Sequence, residues 1–325
     1  MTGHPQTQQP LEPHTAPTMN EFKNILVATD TRLSDHPIVR ESAEIARKNS
    51  GKLTIIDVAP DFPWTVKLAM HDHQHLHDLL VQEKAEALEK LAAPLRESGL
   101  EVATKVLEGK SSVEIIREVN HGGHDLVMRV AKGTDSRSSG FFGNTGSRLL
   151  RQCPCSVWLV SQNTTPVFKH ILACVDTASD DAMDKELNQR VFDLASKIHQ
   201  YHQGKLTTMH TWYIWNEQML KGRLGQEMFE QLEEKTQRVV SERLNAFLES
   251  CGDHDSAAEI IKGEPAEVIP NYTVDHEVDL VVMGTVARSG IAGMITGNSA
   301  EEILSNIKCS VLALKPSNFV SPIKD

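Results

Sequence analysis

The apolar run VDLVVM (278–283) is followed by Gly284, Ala287 and then Gly297-Asn298-Ser299. Glycines after an apolar strand let backbone N–H groups approach a phosphate closely, and a helix opening at Asn298 would add its unpaired N–H groups and dipole. Asn298 and Ser299 are equally good helix caps, so a nucleotide-phosphate cradle and a structural loop both fit. A first copy runs Val130, Gly133, Gly143, Asn144, Thr145 after DLVMRV (125–130). Each copy lacks a different glycine: Val130 stands where the second copy has Gly284, and Ala287 where the first has Gly133. The second copy is the better phosphate candidate; the first is expected to be degenerate. Asp30 and Asp176 end equivalent strands, as ligand contacts or as turn residues.

Other groupings carry weaker chemistry. Gly109-Lys110-Ser111-Ser112 looks like the tail of a phosphate-binding P-loop, but that pattern needs Gly where Thr104 stands. It reads as a strand-to-helix turn, like Gly263-Glu264-Pro265. His71, His73, His75 and His77 form i,i+4 pairs that could hold zinc on a helix; a solvated helix start is the plainer reading, and no metal is expected. Cys153-Pro154-Cys155 has two thiols but no thioredoxin-like context, which favours structural thiols. Trp64, Trp212 and Trp215 follow the second strand of their halves, where aromatics either close the core or line an apolar pocket. No Ser-His-Asp order, paired-carboxylate motif or complete metal signature occurs, and Arg288 is the one cation within 284–302. The sequence therefore predicts a non-enzymatic protein, with slow ATP hydrolysis left open.

These residues must be held by two copies of one unit. Phe22-Lys-Asn-Ile-Leu returns as Phe168-Lys-His-Ile-Leu, and Gly51-Lys-Leu-Thr as Gly204-Lys-Leu-Thr. Gly109 pairs with Gly263, Asp125-Leu-Val with Asp279-Leu-Val, Gly143-Asn144 with Gly297-Asn298, and Cys155-Ser-Val with Cys309-Ser-Val. One register kept across so many landmarks indicates duplication. Strand and helix signals alternate within each unit. Strands are expected at 24–29, 52–58, 101–107, 125–130 and 156–160, then at 170–175, 205–211, 256–262, 279–283 and 310–314. Helices are expected between them, including one within 70–98 and one over 217–250. Such alternation predicts an α/β fold of two tandem doubly wound parallel five-stranded sheets, flavodoxin-like or Rossmann-like. In the order 3-2-1-4-5 the ligand crevice lies between the first and fourth strands, beside Asp30 in one half and Asp176 in the other.

The loop Gly284-x2-Ala287-x9-Gly297-Asn298, the strand-end Asp and the duplication together resemble the universal stress protein family, in its bacterial tandem type. The resemblance covers residues 20–317. It implies adenine-nucleotide binding (ATP, ADP or AMP), with Asp176 on ribose or base and Thr211 beside the adenine. Met283 and Gly284 would form a wall, with Ala287 in the loop and Gly297, Asn298 and Ser299 at the phosphates. The weaker first-half equivalents are Asp30, Val58, Gly133, Gly143, Asn144 and Thr145. The resemblance also implies a stress-response role and pairing of the fifth strands into an intramolecular pseudo-dimer; a homodimer of the whole chain stays open.

Composition sets the remaining bounds. Residues 1–20, rich in Pro, Gln, Thr and His, have little to bury and are expected to be a disordered tail; Met19 immediately precedes the first folded segment, so the natural start is Met1 or Met19. The units are expected at 21–162 and 166–317, with 318–325 a C-terminal tail. Five cysteines and no secretory pattern point to a reducing cytoplasm. Residues 20–162 carry 18 basic and 19 acidic side chains, residues 163–325 carry 15 and 24. That acidic second half disfavours general nucleic-acid binding. No apolar run reaches the roughly 18 residues of a membrane span. The competing reading is a small hydrophobic or amphipathic ligand, or a ligand-free scaffold.

Overall fold

The computed structural model describes residues 21–69, 72–131, 142–161, 167–253, 256–285 and 298–324. The first half contains β1 (Asn24–Ala28), α1 (Pro37–Lys48), β2 (Lys52–Ala59), α2 (Trp64–Ala69), α3 (His73–Glu97), β3 (Val102–Glu108), α4 (Ser111–Gly122), β4 (Leu126–Val130), α5 (Gly143–Gln152) and β5 (Ser156–Val160). The second half contains β6 (His170–Cys174), α6 (Ala182–His202), β7 (Lys205–Trp212), α7 (Glu217–Leu224), α8 (Gln226–Ser250), β8 (Ala257–Lys262), α9 (Pro265–Asp275), β9 (Leu280–Gly284), α10 (Asn298–Asn306) and β10 (Ser310–Leu314).

The strands form one ten-stranded sheet in the order β3-β2-β1-β4-β5-β10-β9-β6-β7-β8. Each half has the expected order 3-2-1-4-5 with parallel pairing, and the halves meet through antiparallel β5 and β10, with Leu312 opposite Trp158. Strand alternation separates two apolar layers. Ile25, Val27, Trp158, Ile171 and Leu312 pack on one side, and Leu26, Ala28, Val157, Leu172 and Val311 on the other. Because the sheet is continuous, both layers run through both halves, and the edges that β5 and β10 would expose are covered by each other.

Further contacts bind the halves. Arg190 pairs with Glu21 at 2.9 Å and donates to the Lys315 carbonyl, also at 2.9 Å. Lys48 lies 2.9 Å from the centroid of the Tyr201 ring. After β10 the chain returns to the first half, where Asn120 donates to the Ile323 carbonyl at 3.3 Å and Phe319 is buried.

Two local departures have simple causes. The predicted helix over 217–250 breaks at Gly225, whose φ of +73° suits glycine and ends α7 before α8 begins. The short α2 has no buried residue. It lies ahead of the helix expected within 70–98, which is α3. The repeated Gly51 and Gly204 do the same work: an added Cβ would meet backbone at 2.8 Å and 2.5 Å, so the turn into the second strand must pass this close to the chain preceding the first.

Candidate functional site

In the second half, Asp176, Thr211, Met283 and Gly284 lie at the C-terminal ends of three neighbouring strands. β6 stands between β7 and β9, with Cys174 in register with both Met209 and Met283. Asp176 is exposed, and its Oδ1 accepts from the Ala178 N–H at 3.0 Å, closing a turn. The backbone of Asp176 is fixed by Asn188 of α6: its N–H donates to Oδ1 at 3.0 Å, and Nδ2 donates to its carbonyl at 2.8 Å. Below this turn His210 is buried, with Nδ1 3.1 Å from the Val175 carbonyl and 3.2 Å from the Thr177 N–H. Arg243 of α8 donates to the Ala178 carbonyl at 2.8 Å, so the loop after β6 is held from two helices. Met283 is buried, Gly284 and Thr211 are half-buried, and Thr285 seals the strand end by donating its N–H to the Leu314 carbonyl at 3.1 Å.

Gly284 packs under α6. A Cβ there would come within 2.6 Å of Leu187 Cδ2, so a larger residue would require that leucine side chain to turn aside. Ala287 and Gly297 lie outside the described residues. Asn298 and Ser299 open α10, where the dipole and unpaired N–H groups favour an anion.

The first-half crevice has the same strands and different chemistry. Asp30 follows β1, but its carboxylate is occupied by its neighbour. Arg32 Nε and Nη2 donate to it at 2.8 and 2.6 Å, and this hydrogen bonding holds its pKa at about 2. Beside it, Asp57 of β2 and Lys84 of α3 form a buried ion pair at 2.5 Å. Asp57 Oδ2 also accepts from the Thr31 N–H at 2.9 Å and the Thr31 hydroxyl at 2.6 Å, while Oδ1 accepts from the Val58 N–H at 2.6 Å. Arg129 of β4 brings a further cation towards Asp57 and Asp30; burial pushes its pKa down, and the two carboxylates oppose that. Val58 is buried, Gly143 opens α5 with φ +66°, Asn144 is exposed and Thr145 half-buried. Gly133 lies outside the described residues.

Asp57, Lys84 and Arg129 were not among the residues singled out from the sequence. A signal existed. Asp57 and Arg129 are charges inside the apolar runs KLTIIDV and DLVMRV, at positions filled by His210 and Met283 in the other copy. Charges in such runs are costly unless paired. Lys84 carried no such signal, because one lysine on a long polar helix is ordinary.

The remaining candidates separate. Gly109 has φ +127° and precedes α4 as a turn residue. His75 is exposed and His73 half-buried, whereas His77 is buried, edge-on to Phe62, with Nδ1 3.6 Å from Glu108. His71 lies outside the described residues, and among those described no group of three or more His, Cys, Asp or Glu side chains could hold a metal. Of the tryptophans, Trp212 packs with Ile214 and Phe229, but Trp64 and Trp215 are 74 % and 73 % exposed. A cavity of about 240 Å³ lies by the N-terminal ends of β1, β2 and β3, near Asn24, Lys105 and His124, away from the crevice.

Residues 21–161 and 168–315 match the Universal stress protein family. Over 317 residues the sequence is 26 % identical to "Universal stress protein E" of Escherichia coli K12, covering 94 % of this chain and 98 % of that one. It is 22 % identical over 311 residues to the "Universal stress protein E homolog" of Haemophilus influenzae, covering 91 % and 98 %. Among solved structures, a functionally unknown protein from Pseudomonas aeruginosa PAO1 aligns with TM-score 0.71 at 22 % identity, covering 92 % of this chain and 95 % of that one. A universal stress protein from Archaeoglobus fulgidus aligns with TM-score 0.59 at 18 % identity, covering 92 % and 99 %. Both structural likenesses concern the fold. Among the described residues no helix is long and apolar enough to cross a membrane.

Proposed function

Since this chain belongs to the universal stress protein family, we propose that it is a non-enzymatic, cytoplasmic stress-response protein that binds an adenine nucleotide in its second half. The contrast between the two crevices carries this reading. The first is occupied by the buried Asp57–Lys84 pair, and its Asp30 is bound to Arg32. In the second, Asp176 lies on an exposed turn after β6, with Met283 and Gly284 at the end of β9 and Thr211 near the end of β7, the strand on the other side of β6. Ala287, Gly297, Asn298 and Ser299 would complete the phosphate side. ATP, ADP or AMP would lie across β6 and β9, as ligands do at the switch point of doubly wound sheets. Nucleotide binding would then shift the protein's association with its partners; slow hydrolysis would be incidental.

Protein purified without added nucleotide is denatured, and the released material is identified by mass spectrometry. The stripped protein is then titrated with ATP, ADP and AMP by calorimetry. The expected result is adenine nucleotide in the release or saturable binding, weakened at least tenfold by Asp176→Ala and by Gly297→Asp, and unchanged by Asp30→Ala. No release and no binding, or equal loss from Asp30→Ala, overturns the proposal.

A second reading rests on Trp64 and Trp215, which stand exposed after β2 and β7. Large exposed aromatics at equivalent places suit the apolar part of an amphipathic ligand. Quenching or a blue shift of their fluorescence by an amphiphile, lost in Trp64→Ser with Trp215→Ser, would favour it over a nucleotide.

A further inference from the structure

The turn between α5 and β5 carries Cys153-Pro154-Cys155, where the halves join. All five cysteines are free thiols. The two sulfurs here are 3.5 Å apart, and Cys155 Sγ also points to the Ser156 carbonyl at 3.5 Å. Cys153 is fully buried, while Cys155 is half-buried, packed against the same apolar layer. At the equivalent place in the second half stands Ile307, also fully buried, followed by Lys308 and Cys309. An aliphatic side chain therefore meets the packing need, and the second thiol of the first half is surplus to it.

A buried cation reaches this turn from the other half. Lys315, which follows β10, is 3 % exposed, and its ammonium donates to the Leu150 carbonyl near the end of α5 at 2.6 Å. Burial pulls its pKa down to about 8, and the charge acts on both thiols. Burial opposes ionisation of Cys153, but the hydrogen bond from Cys155 and the Lys315 charge bring it below the ordinary thiol value; burial and the same neighbour push Cys155 well up. The first proton lost therefore belongs to the pair, leaving one thiolate shared between two sulfurs.

We propose that Cys153 and Cys155 are a reversible dithiol site that exchanges with low-molecular-weight disulfides, with Cys155 as the entry thiol, Cys153 as the resolving thiol and Lys315 as the positioning charge. With the pair's remaining proton resting on Cys153, the thiolate shared by the pair attacks through Cys155 Sγ on one sulfur of RSSR, forming a mixed disulfide and expelling RS⁻, which takes up that proton. The Cys153 thiolate, favoured by the Lys315 charge, then attacks Cys155 Sγ, closing the protein disulfide and expelling a second RS⁻. The two thiol protons leave with the two RS⁻ as RSH, so the protein is oxidised by two electrons and RSSR is reduced by two. Closure needs the sulfurs to move from contact to a bond of about 2.05 Å. The site is independent of the nucleotide reading.

The test incubates the full chain with oxidised glutathione under native conditions, quenches with acid, alkylates, and maps peptides by mass spectrometry. The expected product is a Cys153–Cys155 disulfide with two fewer alkylated cysteines, restored by phosphine. Cys153→Ser accumulates glutathione on Cys155, whereas Cys155→Ser accumulates none at this turn. Lys315→Met slows closure of the mixed disulfide at least tenfold, and Lys315→Arg, which keeps the charge, restores most of the rate. Circular dichroism confirms that each variant is folded. Full alkylation of all cysteines after oxidation overturns the proposal, as does an equal glutathione adduct on Cys155 in wild type and in folded Cys153→Ser.

Discussion

Replacing Lys84 by Met isolates the buried carboxylate of the first crevice. Asp57 and Lys84 are 6 % and 7 % exposed and 2.5 Å apart, so each charge depends on the other for its solvation. Removing one partner of a buried pair costs about 3–5 kcal/mol. Here Thr31 and the Val58 N–H still donate to Asp57, which places Lys84→Met near the lower bound, about 3 kcal/mol. Asp57→Val leaves the ammonium buried and Thr31 without its acceptor, a cost of at least about 3 kcal/mol. The double variant removes both charges and keeps the losses at Thr31, at the Val58 N–H and at Arg129, about 2–3 kcal/mol. The double should therefore be at least about 3 kcal/mol more stable than the sum of the singles, a coupling expected only of groups that share one interaction. Denaturant unfolding, followed by tryptophan fluorescence and far-UV circular dichroism, measures all four proteins. An unchanged midpoint for Lys84→Met, or a double equal to the sum, would refute the reasoning. The first crevice would then not be organised around this pair.

Two further outcomes follow from buried groups elsewhere. Burial pushes the pKa of Glu41 on α1 up to about 7, so the folded protein holds this proton between about pH 4.3 and 7 while the unfolded chain has lost it. Its contribution is present at low pH and lost as pH rises through 7; Glu41→Gln should therefore stabilise by about 1–2 kcal/mol at pH 8 and by little at pH 4.5, measured as thermal midpoints. Trp158, fully buried on β5 and stacked 5.8 Å from Phe168, has an unpaired indole N–H. Trp158→Ala should cost about 3–5 kcal/mol by opening a cavity where the halves join, and Trp158→Phe about 1 kcal/mol, because it also removes the unpaired donor. Equal midpoints for the two variants would contradict this.

The fold was legible because its signals are local or periodic. Strand runs such as NILVA and LVVMG, amphipathic helices between them and a repeated register determine a doubly wound topology without reference to any one contact. The break at Gly225 was missed because helix-forming residues continue on both sides of it. For Trp64, Trp212 and Trp215 the sequence left core and pocket both open, because composition does not say which aromatics a connection covers; Trp212 is buried and the other two are exposed.

The site was legible only in part. Sequence alone placed Asp30 and Asp176 at equivalent strand ends, and showed that each loop copy lacks one glycine. That both aspartates first serve their own turns, through the Arg32 and Ala178 N–H groups, depends on backbone geometry. That a Cβ at Gly284 would press on the Leu187 side chain depends on how near α6 lies to β9. The difference between the crevices was decided by tertiary structure, because Asp57 and Lys84 are 27 residues apart and meet only when α3 folds over the end of β2. The thiol pair was visible as a spacing, but the cation beside it comes from the end of β10 in the other half. Local order and duplication are written in residue periodicity, which a sequence displays directly. Charge pairing and close approach require distances between residues far apart in the chain, and those exist only once the sheet has closed.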